Sequence, residues 1–143
     1  MYSREDLVEL INANKNIFSD AFLDRKATDE EILQAEERLG IKIPEDYKWF
    51  LKTFGHGGYM FEFLGYGLDG SAIFVDETLC QRESGLPDNL MVFQHCDEFF
   101  DCLNSDDGSV VTWSPYDDAG IIEVDDDFIM YFYDCVQSAI ENT

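Results

Sequence analysis

Two histidines and four cysteines are the residues of this chain best suited to chemistry near neutral pH. His56 lies in a glycine-rich stretch, where an imidazole can act as a base, bind a metal or satisfy a turn; the turn role is favoured. His95 and Cys96 are adjacent, which is one requirement for a nucleophile and its base. In a strand, however, neighbouring side chains point to opposite faces and do not readily share a proton. The sequence therefore predicts no catalytic residue and a protein that is not an enzyme.

The cysteines Cys80, Cys96, Cys102 and Cys135 form no C-x-x-C pair and match no zinc-ligand spacing. No apolar stretch of signal-peptide length follows Met1, so we expect a cytoplasmic protein whose thiols stay reduced. We interpret all four cysteines as small buried hydrophobic residues. We expect neither a metal nor a cofactor.

Acidic and glycine-rich segments provide two further candidate sites, one for calcium and one for a nucleotide. Residues 103–108 fail the calcium pattern D-x-D-x-D-G, because leucine and serine stand at two ligand positions. Residues 65–70 fit the letters of G-x-G-x-x-G, but no helix is expected directly after them, and Asp69 would repel a phosphate. Both segments are predicted to be turns. With 31 carboxylates in the chain, chance pairs are expected, so a small acid/base hydrolase stays open as the least favoured function.

Apolar residues at helical spacing predict three helices in the first part of the chain, within residues 7–11, 28–40 and 44–55. Thr28 and Glu31 form a capping box at the start of the second helix. The third has the strongest amphipathic pattern in the chain and begins at a proline, which suits a first helical turn.

After residue 55, short aromatic and β-branched runs alternate with Gly, Pro, Asn and Asp, as is typical of strands. An Asp-Gly step within residues 104–108 predicts a hairpin, and residues 125–127 are expected to open a last helix with Phe128 and Phe132 on its apolar face. The order predicts an α+β fold in a single domain, 1–143, with N-terminal helices, a meandering antiparallel sheet and a C-terminal helix packed on the sheet. The predicted strands are 59–65, 72–75, 90–94 and 110–113, with 121–124 as a further strand or an extended approach to the helix.

Charge is distributed unevenly along the chain, whose formal net charge is −22. Residues 1–71 hold 14 acidic and 8 basic residues, whereas residues 72–143 hold 17 acidic residues and only Arg82 as a cation. A half-chain with one cation cannot neutralise itself by internal ion pairs, so it projects a negative field. Nucleic acid and anionic membranes need cationic contacts, and no apolar run is long enough to span a bilayer. We therefore expect no direct binding to nucleic acid or membrane, and a basic protein as the partner.

Several segments together resemble the signature of the SUKH superfamily of Smi/Knr-like proteins. Residues 36–40 match E-x-x-L-G, residues 43–51 match L-P-x-x-Y-x-x-F-L, and a Gly-Gly turn follows at 57–58. Residues 85–88 precede a predicted strand as in the family, and residues 127–132 resemble its closing S-F-x-x-F-L helix. The chain departs by an isoleucine at the first leucine of the second motif and by an aspartate at the serine of the last one.

The resemblance implies a binding protein. Single-domain bacterial members act as immunity proteins that bind and block a secreted toxin encoded beside them. The expected partner is therefore a cognate toxin domain, basic in charge, with a nuclease as the expected class. Carboxylates would compete with nucleic acid for its cationic groove and speed the encounter. A scaffold or signalling module of the same fold is the alternative function.

The partner-binding surface is expected in the acidic half, where aromatic side chains are bordered by carboxylates as in an interface hot spot. The alternative for these aromatic residues is a sheet edge covered by its own loop. The candidate contact residues are Asp97, Glu98, Asp101, Asp106, Asp107, Trp113, Tyr116, Asp117 and Asp118.

Overall fold

The computed structural model describes residues 1–23, 25–116 and 120–143. In chain order, the helices in this part of the chain are α1 (Arg4–Asn12), α2 (Lys15–Phe18), α3 (Asp29–Leu39), α4 (Glu45–Thr53), α5 (Ile73–Arg82) and α6 (Phe128–Glu141). The strands are β1 (Phe22–Leu23), β2 (His56–Gly57), β3 (Leu90–Cys96), β4 (Phe99–Asn104), β5 (Val110–Trp113) and β6 (Ile122–Asp125).

The three predicted N-terminal helices are confirmed as α1, α3 and α4. The capping box at α3 is present: the Glu31 amide donates to the Thr28 hydroxyl, and the Glu31 carboxylate accepts from the Thr28 amide. Gly40 ends α3 in the left-handed conformation, with φ of 71°, which a residue without Cβ adopts at little cost.

Strands β3 to β6 form an antiparallel meander in the order β3-β4-β5-β6, and β1 pairs with β2 in a small separate ladder. The α+β fold class is confirmed. The predicted hairpin at residues 104–108 is also confirmed and connects β4 to β5. Residues 125–127 divide between two elements: Asp125 ends β6, and Asp127 alone caps α6 by accepting from the Ile129 amide at 2.8 Å.

Three strand predictions need correction. Residues 72–75 are not a strand, because from Ile73 onward they belong to α5, so the expectation of no helix after the glycine-rich turn is also wrong. Residues 59–65 make only isolated pairings, since Met60 takes a positive φ of 66° that breaks an extended run. Strand β4 was not predicted, although it lies at the centre of the sheet between β3 and β5.

The core is built largely of aromatic rings contributed by α4, α6 and the sheet. Phe50, Phe63, Phe93, Phe128 and Phe132 are all buried. The ring centroids lie 5.1–5.5 Å apart where Phe63 meets Phe93, Phe128 and Phe132, within the range of favourable edge and tilted packing. This cluster fixes α6 against the inner side of the fold.

Candidate partner-binding site

The meander separates the predicted contact residues into two groups at opposite ends of the sheet. Asp97 and Glu98 form the turn before β4, whereas Asp106 and Asp107 lie in the turn after it. Because β4 has six residues, these turns are about 17 Å apart. The acidic residues that were predicted to form one contact surface therefore lie on two separate surfaces.

Tyr116 is the exposed aromatic residue at the Asp97 end. Its side chain is 84% exposed, and its backbone amide donates to Ser114 Oγ at 3.1 Å. Ser114 Oγ in turn donates to the Glu98 carbonyl at 2.8 Å, which joins the segment after β5 to the β3–β4 turn. The structure thus brings Asp97, Glu98 and Tyr116 together. Asp117 and Asp118 lie outside the described residues.

The two carboxylates at the opposite end are engaged with their own turn. Asp107 accepts from both the amide and the hydroxyl of Ser109, at 3.0 and 2.7 Å, and these bonds lower the pKa of its carboxyl. Asp106 accepts from the Asn89 side chain at 3.2 Å. Both residues therefore support the hairpin geometry in addition to carrying charge.

Two predicted contact residues are buried. Trp113 is 8% exposed and packs near Phe100, with ring centroids 6.1 Å apart. Asp101 is 3% exposed, yet it is a carboxylate on a central strand. Neither side chain is therefore exposed on the outer surface, where a partner-contact residue was expected.

Asp101 accepts three hydrogen bonds, all at its Oδ2 atom. Gln94 Nε2 and the Tyr131 hydroxyl each donate at 2.7 Å, and the Cys96 thiol donates at 3.5 Å. Gln94 Oε1 also accepts from the Glu62 amide at 2.7 Å. This network joins β4, β3 and α6 to residues 58–62, which we call the strap.

The network lies in a groove of about 770 Å³, and no sequence signal predicted it. The strap forms one wall, the sheet forms the floor, and α6 contributes Tyr131 and Cys135 to the other wall. A second cavity of about 390 Å³ shares the strap and α6 residues and extends the groove along that helix. The buried carboxylate and the partly buried thiols thus line a single depression.

Both thiols beside the network are held protonated. Burial, followed by the charge of Asp101, raises the pKa of Cys96 to about 12. Burial also raises the pKa of Cys135 to about 12, with a smaller contribution from Asp101. A nucleophilic cysteine needs a lowered pKa, so the groove opposes thiolate chemistry.

The histidines are occupied by structural contacts. His56 Nδ1 accepts from the Gly65 amide at 2.9 Å, which is the turn role that the sequence favours. His95 stacks on Phe100 with centroids 4.6 Å apart, whereas Cys96 reaches Asp101, so this adjacent pair is split as strand alternation predicts. Among residues 1–23, 25–116 and 120–143, no three His, Cys, Asp or Glu side chains are grouped to hold a metal ion.

The prediction that all four cysteines are buried is wrong. Only Cys102 is buried; Cys96 and Cys135 are partly buried, and Cys80 is exposed on α5. Cys80 is exposed because α5 packs one face inward and turns the other to solvent.

A family model described as SMI1-KNR4 cell-wall, SUKH_5, matches residues 5–137. The chain belongs to the SUKH superfamily. The family is known broadly for immunity-type domains that are generally non-catalytic. No helix in the described part of this SUKH protein is long and apolar enough to cross a membrane.

The signature residues at 36–51 hold the fold together and do not line the groove, whereas Tyr131 of the closing motif does line it. Glu36 is buried, accepts from the Ile43 amide at 2.8 Å and lies 3.3 Å from Lys48 Nζ, which fixes the link between α3 and α4. The Tyr47 hydroxyl donates to the Leu64 carbonyl at 2.5 Å within the core. This part of the signature therefore stabilises the scaffold.

Proposed function

We propose that this SUKH protein is an immunity protein that neutralises a cognate secreted toxin domain, a basic nuclease by class, through stoichiometric binding. The observation that carries the proposal is the charge of residues 72–143, where Arg82 is the only cation. Arg82 is engaged internally, since it donates to the carbonyls of Leu39 and Asp88 at 2.8 and 2.9 Å. Asp76 pairs with Arg38 of the other half at 2.9 Å, whereas Asp97 and Glu98 form no ion pair among the described residues, so their charges are available to a partner.

The Asp97 end of the sheet is the contact surface that we favour. It combines two carboxylates in a tight turn with Phe99 and Tyr116, both exposed. Rigid aromatic side chains provide contact area at low entropic cost, and surrounding carboxylates attract a cationic surface. A nuclease must present cations to nucleic acid, so the same cations are available to this surface.

The test is binding kinetics against the C-terminal domain of the toxin encoded by the adjacent gene. Steering by charge predicts that the association rate falls as salt rises, while the dissociation rate changes less. Asp97→Lys combined with Glu98→Lys should lower the association rate. Glu37→Lys combined with Glu45→Lys is the matched control, because it makes the same change of charge at exposed positions of α3 and α4.

Equal effects of the two charge-reversed pairs would show that net charge alone guides association. Tight binding that is indifferent to salt and to both pairs would place the interface on the less acidic N-terminal side. No binding to the adjacent toxin domain, and no rescue of cells that express it, would overturn the proposed function.

A further inference from the structure

Asp101 is a buried carboxylate without a cationic partner in the described part of the chain. Its donors are an amide, a phenol and a thiol, all neutral, and no Lys, Arg or His nitrogen of these residues lies within 4.0 Å of it. Buried charges are normally paired, because taking an ion out of water is expensive. The described residues therefore leave Asp101 without the positively charged partner that a buried carboxylate usually has.

The second oxygen of this carboxylate is the atom available to such a cation. All three donors reach Oδ2, and no hydrogen bond among the described residues reaches Oδ1. Asp101 lines the groove of about 770 Å³, so a group that enters the groove meets this oxygen. An accepting oxygen in a cavity of this size matches a positively charged donor.

The entrance to the groove is apolar with a fringe of carboxylates. Met60 is 67% exposed, and its φ of 66° is strained for a residue with a side chain. Phe99 and Val124 are also exposed at the entrance, and methionine adapts readily to the shape of a partner. The carboxylates around the groove are Glu62, Asp97, Asp125 and Asp134.

This arrangement fits a side chain with an apolar stem and a charged head. Arginine packs its methylene groups along apolar surface, and its guanidinium is more weakly hydrated than an ammonium group, which suits a buried ion pair. A second copy of this chain is a poor occupant, because a net charge of −22 on each copy opposes close approach.

We propose that the groove binds one arginine side chain of the partner, with its guanidinium donating to Asp101 Oδ1 and its stem packed against Met60 and Phe99. The partner segment thereby crosses the opening between the strap and α6. As a statement about the toxin, this rests on the proposed function; as a statement about the groove, it holds for any protein that presents such an arginine.

The experiment uses the full chain and two capped tripeptides, acetyl-Val-Arg-Val-amide and its citrulline counterpart, which is nearly isosteric and uncharged. We expect the arginine peptide to bind at least about tenfold more tightly, measured by NMR titration. We also expect it to shift the backbone amide signals of Cys96 and Cys135, which line the groove, and to leave that of exposed Cys80 unaffected. Amide shifts confined to the groove residues locate the bound peptide without any mutation.

Asp101→Asn keeps the shape of the side chain and should abolish the preference for arginine over citrulline. Asp106→Asn, at the other end of the sheet, is the matched control and should leave the preference intact. Far-UV circular dichroism and urea unfolding check that both variants fold. If Asp101→Asn does not fold, Val124→Trp narrows the entrance from its exposed rim and should block the arginine peptide instead.

Equal binding of the two peptides, no binding at millimolar concentrations, or arginine binding that survives Asp101→Asn would overturn the assignment of the groove. If the arginine peptide binds as expected but the adjacent toxin is not bound, the proposed function fails and the groove assignment stands. If the toxin binds the Asp101→Asn variant as tightly as the parent protein, the groove assignment fails and the proposed function stands.

Discussion

Phe132 is the residue whose truncation should damage this fold most clearly. Its ring is fully buried on α6, and it meets the rings of six other phenylalanines. The centroid distances run from 5.1 Å to Phe63 to 6.3 Å to Phe22, and the remaining partners are Phe50, Phe54, Phe61 and Phe128. These partners lie in or next to β1, α4, the strap and α6 itself, so one ring connects four parts of the chain.

Phe132→Ala should lower the free energy of unfolding by about 3–5 kcal/mol, because it removes a buried ring and leaves a cavity among neighbours that cannot collapse into it. Several edge-on ring pairs are lost together, which favours the upper half of that range. Phe132→Leu keeps much of the volume and should cost about 1.5 kcal/mol. A small domain has about 5–15 kcal/mol in total, so the alanine variant is expected to fold but to be close to its limit.

The assay is urea unfolding followed by circular dichroism and by tryptophan fluorescence, with equal slopes required of all variants. Tyr133→Ala is the matched control one position along α6, since Tyr133 is only partly buried, at the edge of the core, and stacks at 3.6 Å on the exposed Tyr2. We expect that control to lose less than about 1 kcal/mol. A loss below about 1 kcal/mol for Phe132→Ala, or losses of equal size at the two positions, would refute the packing described here.

Three further outcomes are expected. The guanidinium of Arg25 holds the pKa of Glu31 at about 2, below its usual value of 4.5, so their ion pair stabilises the fold above about pH 4.5 and the gain is lost as the pH falls to about 2. Glu31→Gln should therefore cost about 1 kcal/mol at pH 7 for this partly exposed pair, and urea unfolding near pH 2 should show almost no difference from the parent. In the native protein, Ellman's reagent should label exposed Cys80 quickly, whereas Cys96 should react only after unfolding, because burial raises its pKa to about 12. The unfolded protein should give four reactive thiols in total, and fast labelling of Cys96 in the native protein would contradict this. Gly65→Ala should lower the free energy of unfolding by more than about 2 kcal/mol, because a Cβ would collide with the carbonyl oxygen of Gly55, which follows α4. A thermal melt unchanged by this substitution would show that the turn is free to shift.

Local signals in the sequence determined the helical framework. The capping box of Thr28 and Glu31 and the periodic apolar residues of α4 act over three to seven positions, so they are legible without any knowledge of the fold. The same holds for the hairpin between β4 and β5, whose Asp-Gly step requires a particular backbone geometry. The part of the SUKH signature at residues 36–51 is equally local, because it encodes the link between α3 and α4.

Tertiary packing decided the identity of α5 and of β4. The run at residues 72–75 is aromatic and β-branched and by itself favours a strand. In the fold, Phe74, Val75 and Thr78 are buried together on one side of a helix, and the Thr78 hydroxyl accepts from the Val92 amide at 3.0 Å. Burial on a helix face outweighs the propensity of the segment. Strand β4 was not predicted because Asp101 lies near its centre, and a charged residue argues against a buried strand.

The candidate site was determined by tertiary structure almost entirely. The sequence identified an excess of carboxylates in residues 72–143, but it placed Asp101 and Asp106 on one surface, whereas the meander buries the first and carries the second to the far end of the sheet. The groove joins the strap, the sheet and Tyr131, which is 30 positions from Asp101 in the chain. Charge is a property of composition and can be counted. The burial of a charge depends on which distant segments pack around it, and that depends on the whole fold.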